Sequence, residues 1–340
     1  MIELIGISKD YAKDSAKDSA EDPPDGRRGA TVVDDLSFTV ARGEFFVIIG
    51  PSGSGKSTTL KMINRLIPCS RGRITLDGED ILGFNAEHLR RRMGYVIQSI
   101  GLFPHWTVAR NIATVPELLG WPQAKIRART SELLGLLKLD PDSFAGKYPH
   151  QLSGGEQQRI GVARALAARP EVLLMDEPFG ALDPIARCAL QDEIARIQRD
   201  SGTTVVFVTH DMEEALKLGS RIALLDRGRL VQLGKPLALL ADPATAFVRE
   251  FVGRDDHGIR LLSAELVASR LRPGEAAAGS QSGAPVGTST GASIGASIAN
   301  SQTLRQALSQ MISQNTEYLQ VVDGEGRALG ALHLSDLLRR

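Results

Sequence analysis

Apolar and polar positions change period several times along the chain, and each change marks a different kind of element. Residues 2–8 alternate, as a half-buried strand does, and residues 31–40 read as its returning partner. Residues 45–49, 171–175 and 203–208 are instead continuous apolar runs between polar neighbours, the pattern of parallel strands covered on both faces. Residues 94–97 form a shorter run of this kind that ends at Gln98, and residues 73–76 and Ile81 are strand material around Asp77-Gly78. A helical period carries Leu60, Ile63 and Ile67 away from the first run. Between Phe103 and Gln151 the texture is helical, with a segment at 111–119 and an amphipathic one at 123–137 separated by Pro and Gly. These patterns predict an α/β domain with a helical insert at about residues 103–170. Residues 221–225 and 230–233 flank Asp226-Arg227-Gly228, a hairpin turn that adds antiparallel strands.

Two stretches have no period. Residues 12–30, just after Tyr11, write Lys-Asp-Ser-Ala twice and add Pro-Pro-Asp-Gly. Such a polar insert buries too little apolar surface to order itself and reads as a long flexible hairpin tip. Beyond Gly253 the pattern weakens, and residues 273–300 are Gly, Ala, Ser and Thr with almost no charge. The expected organisation is therefore a domain over 1–253, a linker over 254–300 and a small α+β unit over 301–340. In that last unit a helix at 303–311, strands at 318–322 and 329–334 and a helix at 335–338 surround an Asp-Gly-Glu-Gly turn. It is too small to be comfortable alone.

Composition narrows the possibilities. With 40 basic residues against 40 acidic ones, the chain lacks the basic footprint that recruits nucleic acid by counterion release, so no nucleic-acid partner is expected. Cys69 and Cys188 lie far apart without metal-ligand spacing and read as ordinary thiols. The first residues have no apolar signal core, and no stretch approaches the roughly 18 apolar residues of a membrane span. A membrane role would have to come through a partner.

The candidate chemistry begins where the first apolar run ends, at Gly50-Pro51-Ser52-Gly53-Ser54-Gly55-Lys56-Ser57, followed by Thr58. A strand delivering the chain to a G-x-x-x-x-G-K-[ST] loop that opens a helix is a phosphate cradle: its amides and the helix dipole favour a di- or triphosphate. Lys56 then reaches β/γ oxygens, and the Ser57 hydroxyl is placed for Mg²⁺. The run 173–175 leads directly into Asp176 and Glu177. Side chains alternate along a strand, so the two carboxylates take different tasks, metal for Asp176 and an attacking water for Glu177. Ser153-Gly154-Gly155-Glu156 fits a helix-capping box before Gln157. That explains Ser and Glu but not two glycines, each costing a helix about 1 kcal/mol relative to Ala. Glycines there let backbone amides approach a phosphate, and one triphosphate has no need of two such helix starts unless the second serves another subunit's nucleotide.

In their order, Gly50 to Ser57, Gln98, Leu152 to Gln157, Leu173 to Glu177, Ala181-Leu182-Asp183 and His210 resemble the ATP-binding cassette ATPases over roughly residues 1–253. The resemblance implies a P-loop NTPase core with an antiparallel β subdomain and a helical subdomain, ATP and Mg²⁺ as ligands, and two cassettes closing head to tail on two ATP molecules. It implies that Tyr11 stacks on adenine, that Gln98 links the γ-phosphate and Mg²⁺ to the transporter contact, and that His210 senses the γ-phosphate. Ser153, Gly154, Gly155, Glu156 and Gln157 would meet the partner's nucleotide, and Asp183 would cross the dimer interface. Within the family, residues 98–108, 115–121 and 179–185 resemble the glycine betaine, carnitine and choline importers. The implied partners are a second copy, integral membrane permease subunits at the cytoplasmic face of the cell membrane, and indirectly an extracytoplasmic substrate-binding protein. Amino-acid, phosphate or sulfate import is the alternative. A soluble cassette ATPase of DNA repair or translation fits less well, because the chain has one cassette and no heptad arms. Phe103 and Trp106 fit either a docking site for a permease helix or core aromatics. Residues 301–340 resemble half of a cystathionine β-synthase (CBS) module, with residues 257–272 at most a remnant of the other half; ligand sensing and plain dimerisation both remain open for it.

Overall fold

The computed structural model describes residues 1–11, 30–97, 101–180, 182–253, 262, 265–273, 297–314 and 316–337. They fall into two compact units, Met1–Lys235 and Pro236–Arg340.

The first unit holds two sheets. In the antiparallel one, β1 (Ile2–Tyr11) lies between β2 (Ala30–Val40) and β4 (Arg71–Leu76), with the short β5 (Glu79–Asp80) outside β4. The β1–β2 ladder runs from Ile2 opposite Val40 to Tyr11 opposite Ala30. The insert expected between them lies outside the described residues.

The second sheet has β3 (Phe45–Ile49), β6 (Met93–Val96), β7 (Val172–Asp176), β8 (Thr204–Thr209), β9 (Arg221–Asp226) and β10 (Arg229–Gly234) in the order β10-β9-β3-β8-β7-β6. Every residue of β3, β7 and β8 is buried, as continuous apolar runs require. The hairpin after β8 contributes differently from the expectation: β9 pairs parallel to β3, and only β10 is antiparallel.

The core between the sheets fixes the loop that follows β3. Ile2, Leu4, Leu36, Phe38 and Val40 face Phe46, Ile48, Leu174, Val206 and Val208, and Leu60, Met62 and Ile63 of α1 (Lys56–Ile63) enter the same cluster. Phe38 and Phe46 stack with centroids 4.9 Å apart. Each such fully buried side chain contributes about 1.5–3 kcal/mol, so both ends of the loop are anchored.

After α2 (Ala86–Arg91) and β6 come the helices α3 (Val108–Leu118), α4 (Gln123–Leu136), α5 (Pro141–Phe144) and α6 (Gly154–Leu166). Ile126, Thr130, Leu133 and Leu134 form the buried face of α4. From its side, Arg129 donates to the carbonyls of Leu166 and Ala167 and so satisfies the end of α6. The remaining helices of the first unit are α7 (Pro184–Ser201) and α8 (Met212–Leu218).

The second unit starts with α9 (Pro236–Ala241) and α10 (Ala246–Val252), so the division between compact units lies before Gly253. Its sheet has β11 (Arg272–Pro273), β12 (Ser297–Ala299), β13 (Tyr318–Val322) and β14 (Ala328–His333) in the order β11-β14-β13-β12. Parts of the expected linker are thus built into the fold. Ile298 and Val267 are buried with Leu304, Met311, Leu319, Val321 and Leu332. A hairpin alone is marginal in water, and strands recruited on both sides give it the width to bury a face.

Candidate nucleotide site

The loop from Gly50 to Ser57 is closed by contacts that leave no room for side chains at two of its glycines. A Cβ at Gly50 would sit 2.1 Å from the Leu225 carbonyl oxygen, and one at Gly55, where φ is +93°, would sit 2.7 Å from the Val32 carbonyl oxygen. No side chain caps α1. Instead Lys56 folds back, its Nζ donating to the carbonyls of Gly50 at 2.8 Å and Pro51 at 2.9 Å. Burial pushes its ammonium below the ordinary lysine value, opposed by the carboxylates of Glu177 and Asp176.

The two carboxylates diverge because Asp176 ends β7 and Glu177 lies beyond it with a left-handed backbone. Asp176, the last residue of β7, is 5 % exposed and accepts from Ser57 Oγ at 2.7 Å. Burial raises its pKa, the Ser57 bond opposes that rise, and Glu177 adds to it. Glu177 leaves the strand with φ +46° while its amide still donates to the Val208 carbonyl. This turns its Oε1 toward His210 Nδ1, 3.2 Å away. Because β7 and β8 are parallel neighbours, Glu177 and His210 leave the sheet at the same end. Ser52 to Thr58, Glu177, His210 and Val32 together line a cleft of about 370 Å³.

Other expected site residues lie away from that cleft. Tyr11 ends β1, is 43 % exposed and carries Lys9 Nζ at 5.2 Å from its ring centroid. Ser153 caps α6: its Oγ accepts from the Glu156 amide at 3.3 Å, and Glu156 Oε2 accepts from the Ser153 amide at 2.7 Å. Gln157 Nε2 donates to the carbonyls of Pro149 and Leu152. A Cβ on Gly154 would meet no atom within 4 Å, and one on Gly155 would meet Leu182 at 3.0 Å. Asp183 caps α7, accepting from the Ile185 and Ala186 amides at 3.0 Å each. Gln98 and Ala181 lie outside the described residues.

Sequence reading missed the cleft wall at Val32 and a buried group behind His210. Val32 is one apolar strand residue among many, with nothing to mark it. Glu214 is the second of two adjacent acids in α8 (Met212–Leu218), and nothing in the sequence distinguishes it from the exposed Glu213; it is buried and accepts from Thr209 Oγ1 at 2.7 Å.

Comparison with known proteins gives this geometry its context. The family model described as ABC transporter matches residues 33–180, and that described as CBS domain matches 296–340. The chain is 53 % identical over 306 residues to the glycine betaine uptake system ATP-binding protein YehX of Escherichia coli (strain K12), covering 90 % of this chain and 94 % of that one. It is 55 % identical over 227 residues to the glycine betaine/carnitine/choline transport ATP-binding protein OpuCA of Bacillus subtilis (strain 168), covering 67 % of this chain and 60 % of that one. The chain thus spans about three fifths of the Bacillus protein's length. Among solved structures, a dimeric post-hydrolysis state of the ATP-binding cassette MJ0796 bound to ADP and Pi superposes with a TM-score of 0.61 at 32 % identity, over 69 % of this chain and 98 % of that one. A cassette fold, a cleft built on its phosphate loop and a relative matched along nearly its whole length agree: this chain belongs to the ABC transporter family, among its ATP-hydrolysing ATP-binding proteins.

Proposed function

We propose that the chain energises import of a quaternary-ammonium osmolyte such as glycine betaine, choline or carnitine through partner membrane subunits. The observation that carries the ATPase part is the convergence of Lys56, Ser57, Glu177 and His210 on one cleft, with Asp176 bonded to Ser57. The cargo rests on the uptake systems named for the relatives above. No described helix is long and apolar enough to cross a membrane.

ATP phosphates would replace the loop carbonyls as partners of Lys56, and the uncapped start of α1 would present its amides to them. Ser57 and Asp176 suit Mg²⁺, being hard oxygen donors too few to form a cage. Among the described residues, no group of three or more His, Cys, Asp or Glu side chains is arranged for a metal. When bound, the ion neutralises phosphate charge. Glu177 orients the attacking water and takes its proton; His210, tied through Nδ1, has Nε2 left to face the γ-phosphate.

Ser153, Gly154, Gly155 and Asp183 lie outside the cleft, which supports a dimer in which they complete the site of a second copy. Tyr11 and Gln98 are assigned to adenine and to the permease contact by resemblance. For the permease, an aromatic cluster offers a surface: Phe103 and Trp106 lie 4.4 Å apart by centroid, and Phe103 is 38 % exposed. Asn111 holds that turn through the Phe103 amide and the carbonyls of Phe103, Trp106 and Thr107. For residues 301–340, regulation by ionic strength is the reading to test against plain dimerisation.

Labelled betaine uptake in cells with and without the gene tests the cargo. Uptake is expected to vanish on deletion; survival of betaine uptake with loss of another solute's would replace the cargo and leave the ATPase reading intact.

A further inference from the structure

The residue before His210 and the residue after it are held by one hydroxyl. Thr209 Oγ1 accepts from the Asp211 amide at 3.0 Å and donates to Glu214 Oε2 at 2.7 Å. Thr209 is 2 % exposed and Glu214 6 %. The other oxygen of Glu214 accepts from Gln191 Nε2 on α7 at 3.3 Å, and Lys217 Nζ donates to Gln191 Oε1 at 3.2 Å, which fixes which end of the amide faces the carboxylate. His210 itself is exposed, and its ring approaches Glu177 at 3.2 Å through Nδ1. An exposed imidazole on a turn has little packing to set its angle, so its aim at Glu177 has to come from the backbone on either side.

We propose that Thr209 and Glu214 are positioning residues that hold the His210 turn against Glu177, with Gln191 bracing them from α7. A bare carboxylate buried without a task costs several kcal/mol; here it is retained with a hydroxyl and an amide aimed at it. The proposal rests on the assignment of Glu177 and His210 to hydrolysis, and its test separates the two.

Mg-ATP hydrolysis by the full chain is measured for Thr209→Val, Thr209→Ser, His210→Ala and the Thr209→Val/His210→Ala double variant, with melting curves for each. Thr209→Val keeps the shape and loses the hydroxyl, and is expected to lower kcat about 10- to 100-fold with KM for ATP nearly unchanged, the cost of a misplaced catalytic group. Thr209→Ser restores the rate. In the His210→Ala background Thr209→Val costs nothing further, because the group it positions is gone. Glu214→Leu, the second variant, follows the same pattern. An equal loss from Thr209→Val in both backgrounds, or a wild-type kcat in that variant, overturns the positioning role. Wild-type turnover in His210→Ala alone overturns the site assignment instead.

Discussion

Helices α1 and α6 both start in glycine-rich sequence, yet their first amides are satisfied in opposite ways. At α1 the capping position is Gly55 in the left-handed region, with no side chain to accept from the helix, and the adjoining lysine lies on loop carbonyls. At α6 Ser153 and Glu156 close a reciprocal capping box. A helix start without its own acceptor is built around an external one, and the surrounding cleft, with Lys56, Glu177 and His210 in its wall and Asp176 bonded to Ser57, says what kind. A helix start that caps itself is complete in the single chain; Gly155 has a local reason in the close approach of Leu182, and Gly154 has none there. The open space at Gly154 is where the proposed second copy would approach.

Four measurements break or sharpen this contrast. The largest effect is expected at the first site from Glu177→Gln, which removes the general base and should lower hydrolysis roughly 10²–10⁴-fold while ATP still binds. Wild-type turnover would show that Glu177 does not handle the water. Lys56→Ala removes a charge-assisted donor, worth about 1.5–3 kcal/mol, so calorimetry should find ATP binding weaker by about 10- to 100-fold. Unchanged affinity would mean that the uncapped start of α1 is not the cradle.

At the second helix start the effect moves from the monomer to the dimer. Gly154→Asp meets open space and places a carboxylate at a helix N-terminus, so stability should hold or rise by about 0.3–1 kcal/mol. ATP-dependent dimerisation, read by light scattering, should fall, because the new charge faces the partner's phosphates. A dimer as strong as wild type would remove the reason for that glycine. The smallest effect concerns the capping box. The Ser153 amide holds the Glu156 carboxyl below its ordinary value. The stabilisation is therefore present above about pH 4.3 and lost as pH falls through the lower folded value. Glu156→Gln preserves the hydrogen bonds and removes the charge, so its melting point should lie slightly below wild type at pH 7, with the gap closing in acid. A gap independent of pH would show that the charge contributes nothing.

The apolar runs of β3, β7 and β8 were legible because full burial on both faces leaves an unbroken signature in the sequence. Elements short or flanked by low complexity were not: β12 is three residues long, and its Ile298 is buried only because β13 lies beside it. Arg92 makes two hydrogen bonds to Glu171, far along the chain, which no local pattern encodes.

By itself, then, the sequence determined the phosphate loop, the strand-end carboxylates and the second glycine-rich helix start, since each needs particular residue types at fixed local spacing. Only the tertiary structure decided that Glu177 meets His210 and that Gln191 braces Glu214 behind that histidine. Parallel pairing of β7 and β8 makes the first meeting, and the packing of α7 and α8 supports the second. The first depends on which strands become neighbours and the bracing of Glu214 by Gln191 on how two helices pack, and such long-range pairing leaves no periodic trace in the chain.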